Sequence, residues 1–129
     1  MKKIEVVAGV ISYDNKILCC QRQINKLKYL SKKWEFPGGK IEFGETQKVA
    51  LIREIKEELD INITDLQFML SVTHSYPDFD LIMHVYSAKA NRLNYTLEAH
   101  YDAKWVEKNK LNTFDWAAAD IPIVEYIMS

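Results

Sequence analysis

Gly39-Lys40-Ile41-Glu42-Phe43-Gly44-Glu45-Thr46-Gln47-Lys48-Val49-Ala50-Leu51-Ile52-Arg53-Glu54-Ile55-Lys56-Glu57-Glu58-Leu59-Asp60-Ile61 joins a glycine-bearing loop to the most clearly helical run of the chain, Thr46 to Leu59. At about 100° per residue, with Glu54 set at about 0°, Glu57 falls near about 300° and Glu58 near about 40°. Three carboxylates therefore share one arc. Ile52, Ile55 and Leu59, at about 160°, about 100° and about 140°, form the opposing side, expected to dock on a core. As a solvated helix the segment needs only an i,i+4 pair between Arg53 and Glu57, worth a few tenths of a kcal/mol. Mutual repulsion makes solubility alone a poor reason for three clustered carboxylates. A hard divalent cation is a better one, because Mg²⁺ and Mn²⁺ favour carboxylate oxygen and keep waters that can be activated. Glu54 then serves as ligand or as general base toward such a water. The helix face alone leaves both readings open.

On the N-terminal side, Ile4 to Tyr13 is rich in Val and Ile and reads as a strand. Asp14-Asn15 reads as a turn and Lys16 to Arg22 as a second strand. Gln23 to Lys33 reads as a loop carrying Lys26, Lys28, Lys32 and Lys33. Trp34-Glu35-Phe36 is a short extended piece, halted at Pro37-Gly38-Gly39. Beyond the helix, Leu66 to Tyr76 and Leu81 to Ala90 read as strands around a turn at Pro77-Asp78-Phe79. A short strand near Ala103 to Val106 and a last helix from Ile121 follow. Strands and helices in this order mean a layered α/β or α+β domain. With 129 residues, no internal repeat and no Pro/Gly-rich linker, one domain spanning 1–129 is expected.

The chain carries 17 basic and 18 acidic residues, a net charge of -1, and 48% hydrophobic residues. That composition argues against disorder, and the pI near 6.3 lacks the basic footprint of a protein gripping long nucleic acid. A small ligand is the partner it favours. Cys19 and Cys20, adjacent in an apolar run, read as buried thiols of a reducing cytosol rather than a disulfide. Glu5 interrupts the apolar stretch after Met1-Lys2-Lys3, so no signal peptide is expected, and no run approaches the roughly 18 residues that span a bilayer. The expected place is the cytoplasm, with no membrane partner.

The order glycine, five residues, glutamate, seven residues, then Arg-Glu-x-x-Glu-Glu is set by Gly39, Glu45, Arg53, Glu54, Glu57 and Glu58. It resembles the signature box of the Nudix hydrolases, with Ile55 and Ile61 in its apolar positions. Asp60 stands where the family usually has glycine; Asp tolerates a left-handed backbone better than most residues, and Asn62 is the other candidate for that conformation. Trp34 to Lys40 resembles the segment before the box in MutT-type members. The likeness extends to Val6-Val7-Ala8-Gly9-Val10-Ile11, to Lys16-Ile17-Leu18 with Arg22, and to Ala119-Asp120-Ile121-Pro122. It implies an α/β/α sandwich with a mixed sheet. It also implies Mg²⁺-dependent hydrolysis of (deoxy)nucleoside triphosphates, with Mn²⁺ as a substitute, to the monophosphate and pyrophosphate by attack at the β-phosphorus.

By position, the resemblance makes Glu54, Glu57, Glu58 and the Gly38 carbonyl metal ligands. Glu54, Arg53 and Glu57 form the catalytic set, and Gly39 and Glu45 shape the motif. Relatives carry a further acidic group six residues before a tryptophan; counted from Trp105 that place holds Ala99, leaving Glu98 or His100 beside it. A charge argument for the metal is independent of the likeness. A triphosphate carries about four negative charges, and each pair it makes with a helix carboxylate at about 5 Å repels by roughly 3 kcal/mol at a dielectric of about 20. Only cations reverse that sign.

Asp120 reads either as an N-cap of the last helix or, as in MutT-type relatives, as a group facing the base. Ionised, it accepts from an exocyclic amino group such as cytosine N4; protonated, it reads a purine carbonyl. Substrates with cytosine and with oxidised guanine are thus both open. Arg22 is a candidate for a phosphate or sugar contact, Phe36 for a place under the base, and Asp78 and Phe79 for a substrate-contacting turn. Pro77, sixteen residues after Ile61, is a marker shared with ADP-ribose hydrolases. An ADP-ribose or other nucleoside diphosphate-X hydrolase is therefore an alternative, as is a catalytically silent nucleotide-binding module. His74, His84 and His100 lack zinc-ligand spacing. A monomer or a homodimer is expected.

Overall fold

The computed structural model describes residues 2–129. Chain order is β1 (Lys2–Tyr13), β2 (Lys16–Gln21), β3 (Trp34–Glu35), β4 (Gly38–Lys40), α1 (Gln47–Leu59), β5 (Ile63–Ser75), β6 (Phe79–Ala90), β7 (Asp102–Glu107) and α2 (Ile121–Met128). Two 3-10 turns, Lys108–Thr113 and Ala118–Asp120, precede α2.

Consecutive apolar residues in β1 reflect a strand covered on both faces. Val7 and Ile11 join Leu18 and Cys20 against Ala50, Leu51, Ile55 and Leu59 of α1. Ala8 and Val10 join Cys19 and Val85 on the other side, with Ile123 and Val124 of α2. The result is two helical layers about one mixed sheet. Its order is β3-β2-β1-β6-β5, with β4 also paired to β1 and β7 to β2. Among the named strands of the described residues, β1 and β6 run parallel, from Lys2 opposite Phe79 to Ser12 opposite Lys89, and the other pairings are antiparallel. The β1–β2 hairpin turns on Asp14 and Asn15, both at positive φ (52° and 64°), the twist that a two-residue connection favours. Cys19 and Cys20 are buried free thiols on opposite faces of the sheet. Among the described residues no helix is long and apolar enough to cross a membrane.

Several details depart from the sequence expectation. Gly38 to Lys40 does not merely end an extended piece; it pairs antiparallel with Val6 to Ala8. A Cβ at Gly38 would strike the Val7 carbonyl, so only glycine brings the strands this close. Phe79 opens β6 instead of closing a turn, and β5 begins three residues before Leu66. Irregular pairing between Thr64 and Gln67 hides that early start from period-2 reading, and Asp65 there has φ 56°.

The face of α1 is also rotated from the one expected. Ile52 is 42% exposed, whereas Leu51 and Ala50 are fully buried. The side docked on the sheet thus includes the arc of Glu54 and Glu58, and only Glu57 of the three points outward. Thr46 caps the helix, its Oγ1 accepting from Val49 N at 3.2 Å. Asp60 ends it in the left-handed conformation, φ 55°, donating its N–H to the Lys56 carbonyl at 3.1 Å.

Candidate active site

Docking α1 beside β4 sets the glycines against the carboxylates. A Cβ on Gly39 would collide with the Glu54 carboxylate, so the glycine clears the space that the carboxylate fills. Arg53 then fixes the acidic groups around it. Its Nε and Nη2 donate to the two Glu45 oxygens at 2.7 and 2.8 Å, and its Nη1 donates to Glu54 Oε1 at 2.9 Å and Glu57 Oε2 at 3.3 Å. Nη2 also donates to the Lys40 carbonyl at 3.1 Å, tying the helix to β4. This is the planar fork at work, which a lysine cannot reproduce. The hydrogen bonds from Arg53, with one from Glu42 N–H, hold the Glu45 carboxyl down at about 2. Glu45 is thus a charged anchor for Arg53 rather than a proton carrier.

Glu58 is the opposite case. Burial first, then the hydrogen bond and charge of Glu54, then Glu35 and Glu57, push its carboxyl up to about 9. Its Oε1 is buried without a hydrogen-bond partner. An unpartnered carboxylate oxygen beside a second carboxylate is what a divalent cation satisfies, and Glu54 and Glu58 fit one. Glu57, with its side chain 59% exposed, is turned to Arg53. Among the described residues no three acidic or histidine side chains are already gathered at coordinating geometry, so Glu57 must leave Arg53 to become a third ligand.

Two cavities adjoin this arrangement. One, of about 250 Å³, is walled by Ile4, Val6, Phe36, Phe79, Leu81 and Met83, with Arg22, Glu35, Lys40, Tyr76 and Asp120 as its polar side chains and Gly38 and Gly39 also in its lining. The other, of about 260 Å³, is polar and lined by Arg22, Gln23, Asn25, Glu35, Gly38, Glu58, Ala99 and His100. Arg22, Glu35 and Gly38 belong to both. An apolar slot that opens beside carboxylates suits a ring joined to an anionic tail.

Residues 6–126 match the family described as the NUDIX domain. The chain belongs to the Nudix family. Across its whole length it is 37% identical to the CTP pyrophosphohydrolase of Escherichia coli K12, covering 94% of that protein. Over 60% of its length it is 40% identical to the 8-oxo-dGTP diphosphatase of Proteus vulgaris, covering 68% of that one. The solution structure of MutT, a Nudix family hydrolase from methicillin-resistant Staphylococcus aureus 252, superposes with a TM-score of 0.74 at 40% identity, over 99% of this chain and 98% of that one. The mixed sheet between helical layers is therefore the Nudix fold.

Within the Nudix frame, Asp120 lines the apolar cavity, 5% exposed, and accepts from Phe36 N–H at 3.0 Å through Oδ1. It precedes α2 but makes no capping hydrogen bond with its side chain. Burial, reinforced by the charge of Glu35, pushes its carboxyl well above the usual range. Phe36 stacks on Trp116 at 4.7 Å and also lines the cavity, so its ring is both core and wall. Phe79 lines the cavity, whereas Asp78 lies outside it and accepts from Tyr29 Oη at 2.5 Å. Glu98 is exposed and absent from both linings; its N–H donates to the Glu58 carbonyl at 3.1 Å. Ala99 faces the polar cavity in its place.

The sequence reading passed over Glu35 as a site residue and weighed His100 only as a replacement for the group missing at Ala99. Glu35 Oε1 accepts from Arg22 Nη1 at 2.9 Å, and Oε2 lies 3.0 Å from His100 Nε2. Burial alone would raise the Glu35 carboxyl, but the hydrogen bond of His100 and the charge of Arg22 outweigh it and hold the group below its usual range. The sequence does carry one signal for Glu35, a lone acid between Trp34 and Phe36, two residues that belong in a core.

Proposed function

We propose that this Nudix chain hydrolyses nucleoside triphosphates to the monophosphate and pyrophosphate with Mg²⁺, and that cytosine nucleotides are its best substrates. The observation that carries the reading is a buried Asp120 lining an apolar cavity together with Gly38 and Gly39, the second of which packs against the Glu54 carboxylate. In that frame the base enters the apolar cavity and the phosphates extend toward the acidic helix. Glu54 and Glu58 hold the cation, joined by Glu57 once it leaves Arg53. When bound, the cation offsets the phosphate charge and acidifies a water. Arg53 fixes one Glu54 oxygen, leaving the other to ligate or to take a proton from the attacking water.

The base assignment rests on the protonation of Asp120. The sequence reading tied cytosine to an ionised Asp120; burial favours the neutral acid instead. A neutral carboxyl offers a donor beside an acceptor, which complements cytosine N3 and its N4 amino group. The full-length likeness to a protein named CTP pyrophosphohydrolase supports the same order. Oxidised guanine is the second reading, because the same O–H can serve its carbonyl and other relatives are named 8-oxo-dGTP diphosphatases. The test is a turnover panel of CTP, dCTP, 5-methyl-dCTP, 8-oxo-dGTP, dGTP and ADP-ribose, with Mg²⁺ and with EDTA. Pyrophosphate release, highest kcat/KM for cytosine and silence in EDTA are expected. Orthophosphate as product or full activity in EDTA refutes the reaction; a guanine preference refutes the base order.

A further inference from the structure

We infer that His100 is a positioning residue: through Glu35 it holds the Arg22 guanidinium where the two cavities meet, facing the anionic tail of the nucleotide. The inference rests on the proposed triphosphate reading for what the tail is. It rests on the structure for the chain of contacts. Arg22 Nη1 and His100 Nε2 each take one oxygen of Glu35, at 2.9 and 3.0 Å. The carboxylate is held at both ends. The His100 side chain is only 5% exposed and its Nδ1 has no partner, so the ring proton belongs on Nε2, where Glu35 accepts it.

Arg22 spends one donor on Glu35, while its Nε is buried without a partner. An arginine has five donors, and with its side chain 33% exposed Arg22 keeps guanidinium donors free for a ligand oxygen. Arg22, Glu35 and Gly38 are the residues shared by the two cavities, which places that donor group at their junction. Without His100, one Glu35 oxygen loses its partner. Glu35 then turns, and Arg22 turns with it. The surrounding backbone is fixed independently, because Tyr101 N–H donates to the Gln21 carbonyl and Arg22 N–H to the Lys33 carbonyl, both at 2.9 Å. A side-chain change at position 100 therefore leaves the loop in place.

The test compares His100→Leu, His100→Asn and His100→Gln. The glutamine amide nitrogen reaches the place of Nε2, the asparagine amide only that of Nδ1, so the last two differ in reach and not in chemistry. Binding of the non-hydrolysable α,β-methylene analogue of CTP in Mg²⁺ is followed by tryptophan fluorescence, alongside steady-state turnover of CTP. The Leu and Asn variants should bind the analogue about tenfold more weakly, the scale of one lost hydrogen bond to a charged group. KM should rise similarly with kcat changed less than about threefold, as for a contact made equally in ground and transition states. Glutamine should restore both. Unchanged affinity in Leu and Asn, or a glutamine variant as weak as asparagine, overturns the inference. If leucine fails to fold, the Asn–Gln pair carries the test. Failure of the unaltered chain to release pyrophosphate would refute the proposed reaction, and the analogue affinities would still decide the role of His100.

Discussion

Glu58 makes a prediction that runs against the usual effect of altering a motif residue: in metal-free protein, Glu58→Gln should be more stable than the parent. Burial, with the neighbouring Glu54, lifts its carboxyl from an ordinary 4.5 to about 9. Below pH 4.5 the group is protonated in both folded and unfolded chains and costs nothing. Above it the unfolded chain releases the proton and the folded chain keeps it, so stability falls as pH rises until about 9. Each pH unit in that window is worth about 1.4 kcal/mol, which gives a cost of about 3 kcal/mol at pH 7. Glutamine has no such cost and retains an N–H for Glu54.

Urea unfolding in EDTA, followed by tryptophan fluorescence from pH 5 to 9, measures the difference directly. The Gln variant should exceed the parent by about 3 kcal/mol at pH 7, with the gap closing toward pH 5 and widening toward pH 9. Carboxyls remote from Glu58 titrate alike in both proteins and cancel, whereas Glu54, coupled to Glu58, contributes to the difference. Cation binding to the parent at pH 7 should release about one proton, seen as a heat that depends on the buffer's ionisation enthalpy; the variant should release none. A variant less stable than the parent in EDTA at pH 8, or a gap that does not change with pH, would refute the reasoning.

Gly39→Ala should separate activity from stability: the new methyl meets the movable end of Glu54, so melting shifts by only a few degrees while kcat falls about 100-fold or more. Thermal scans and pyrophosphate release read the two effects. Asp60→Gly should change unfolding free energy by no more than about 1 kcal/mol. It relieves a left-handed non-glycine residue but removes the exposed pairs with Lys56 and Arg92, and denaturant titration checks the balance. Asp120→Asn should raise stability at neutral pH and lose that gain as pH falls toward about 4, because burial has lifted the Asp120 carboxyl. The asparagine amide offers the same donor beside an acceptor as the neutral acid, so the ranking of bases in the turnover panel should be kept, and a changed ranking would refute the neutral-acid reading.

The layered fold was legible because both faces of β1 and β2 are covered, and that demand writes itself locally as unbroken Val, Ile and Leu. The acidic helix was legible in type and less so in orientation. A wheel places Ile52 with Ile55 and Leu59, yet Ile52 is solvent-facing and Glu58 is sunk beside Leu51. Helical periodicity gives relative angles, and only the packing against the sheet fixes which arc is buried. Here the buried arc includes two carboxylates because β4 supplies glycines in front of them. The substitution of Asp60 for the motif glycine was legible as a left-handed position, and its φ of 55° fits that reading.

Charge state was the part a sequence could not carry. Asp120, Glu35, Glu45 and Glu58 begin with similar intrinsic acidity, yet one is held near 2, one below its usual range, and two are pushed far up. The differences come from burial and from partners, some of them distant in the chain. Glu35 meets His100, 65 residues away, and Asp120 meets Phe36, 84 residues away. A carboxylate is kept ionised wherever an arginine or histidine is delivered to it, and is driven toward its acid form wherever the fold buries it beside another carboxylate. Under the proposed reading the site thus combines a buried Asp120 driven toward its acid form for the base, a Glu35 kept toward its ionised form by His100 and Arg22, and a Glu54–Glu58 pair for a cation. That combination suits a nucleotide, whose base asks for directional hydrogen bonds and whose phosphates ask for positive charge.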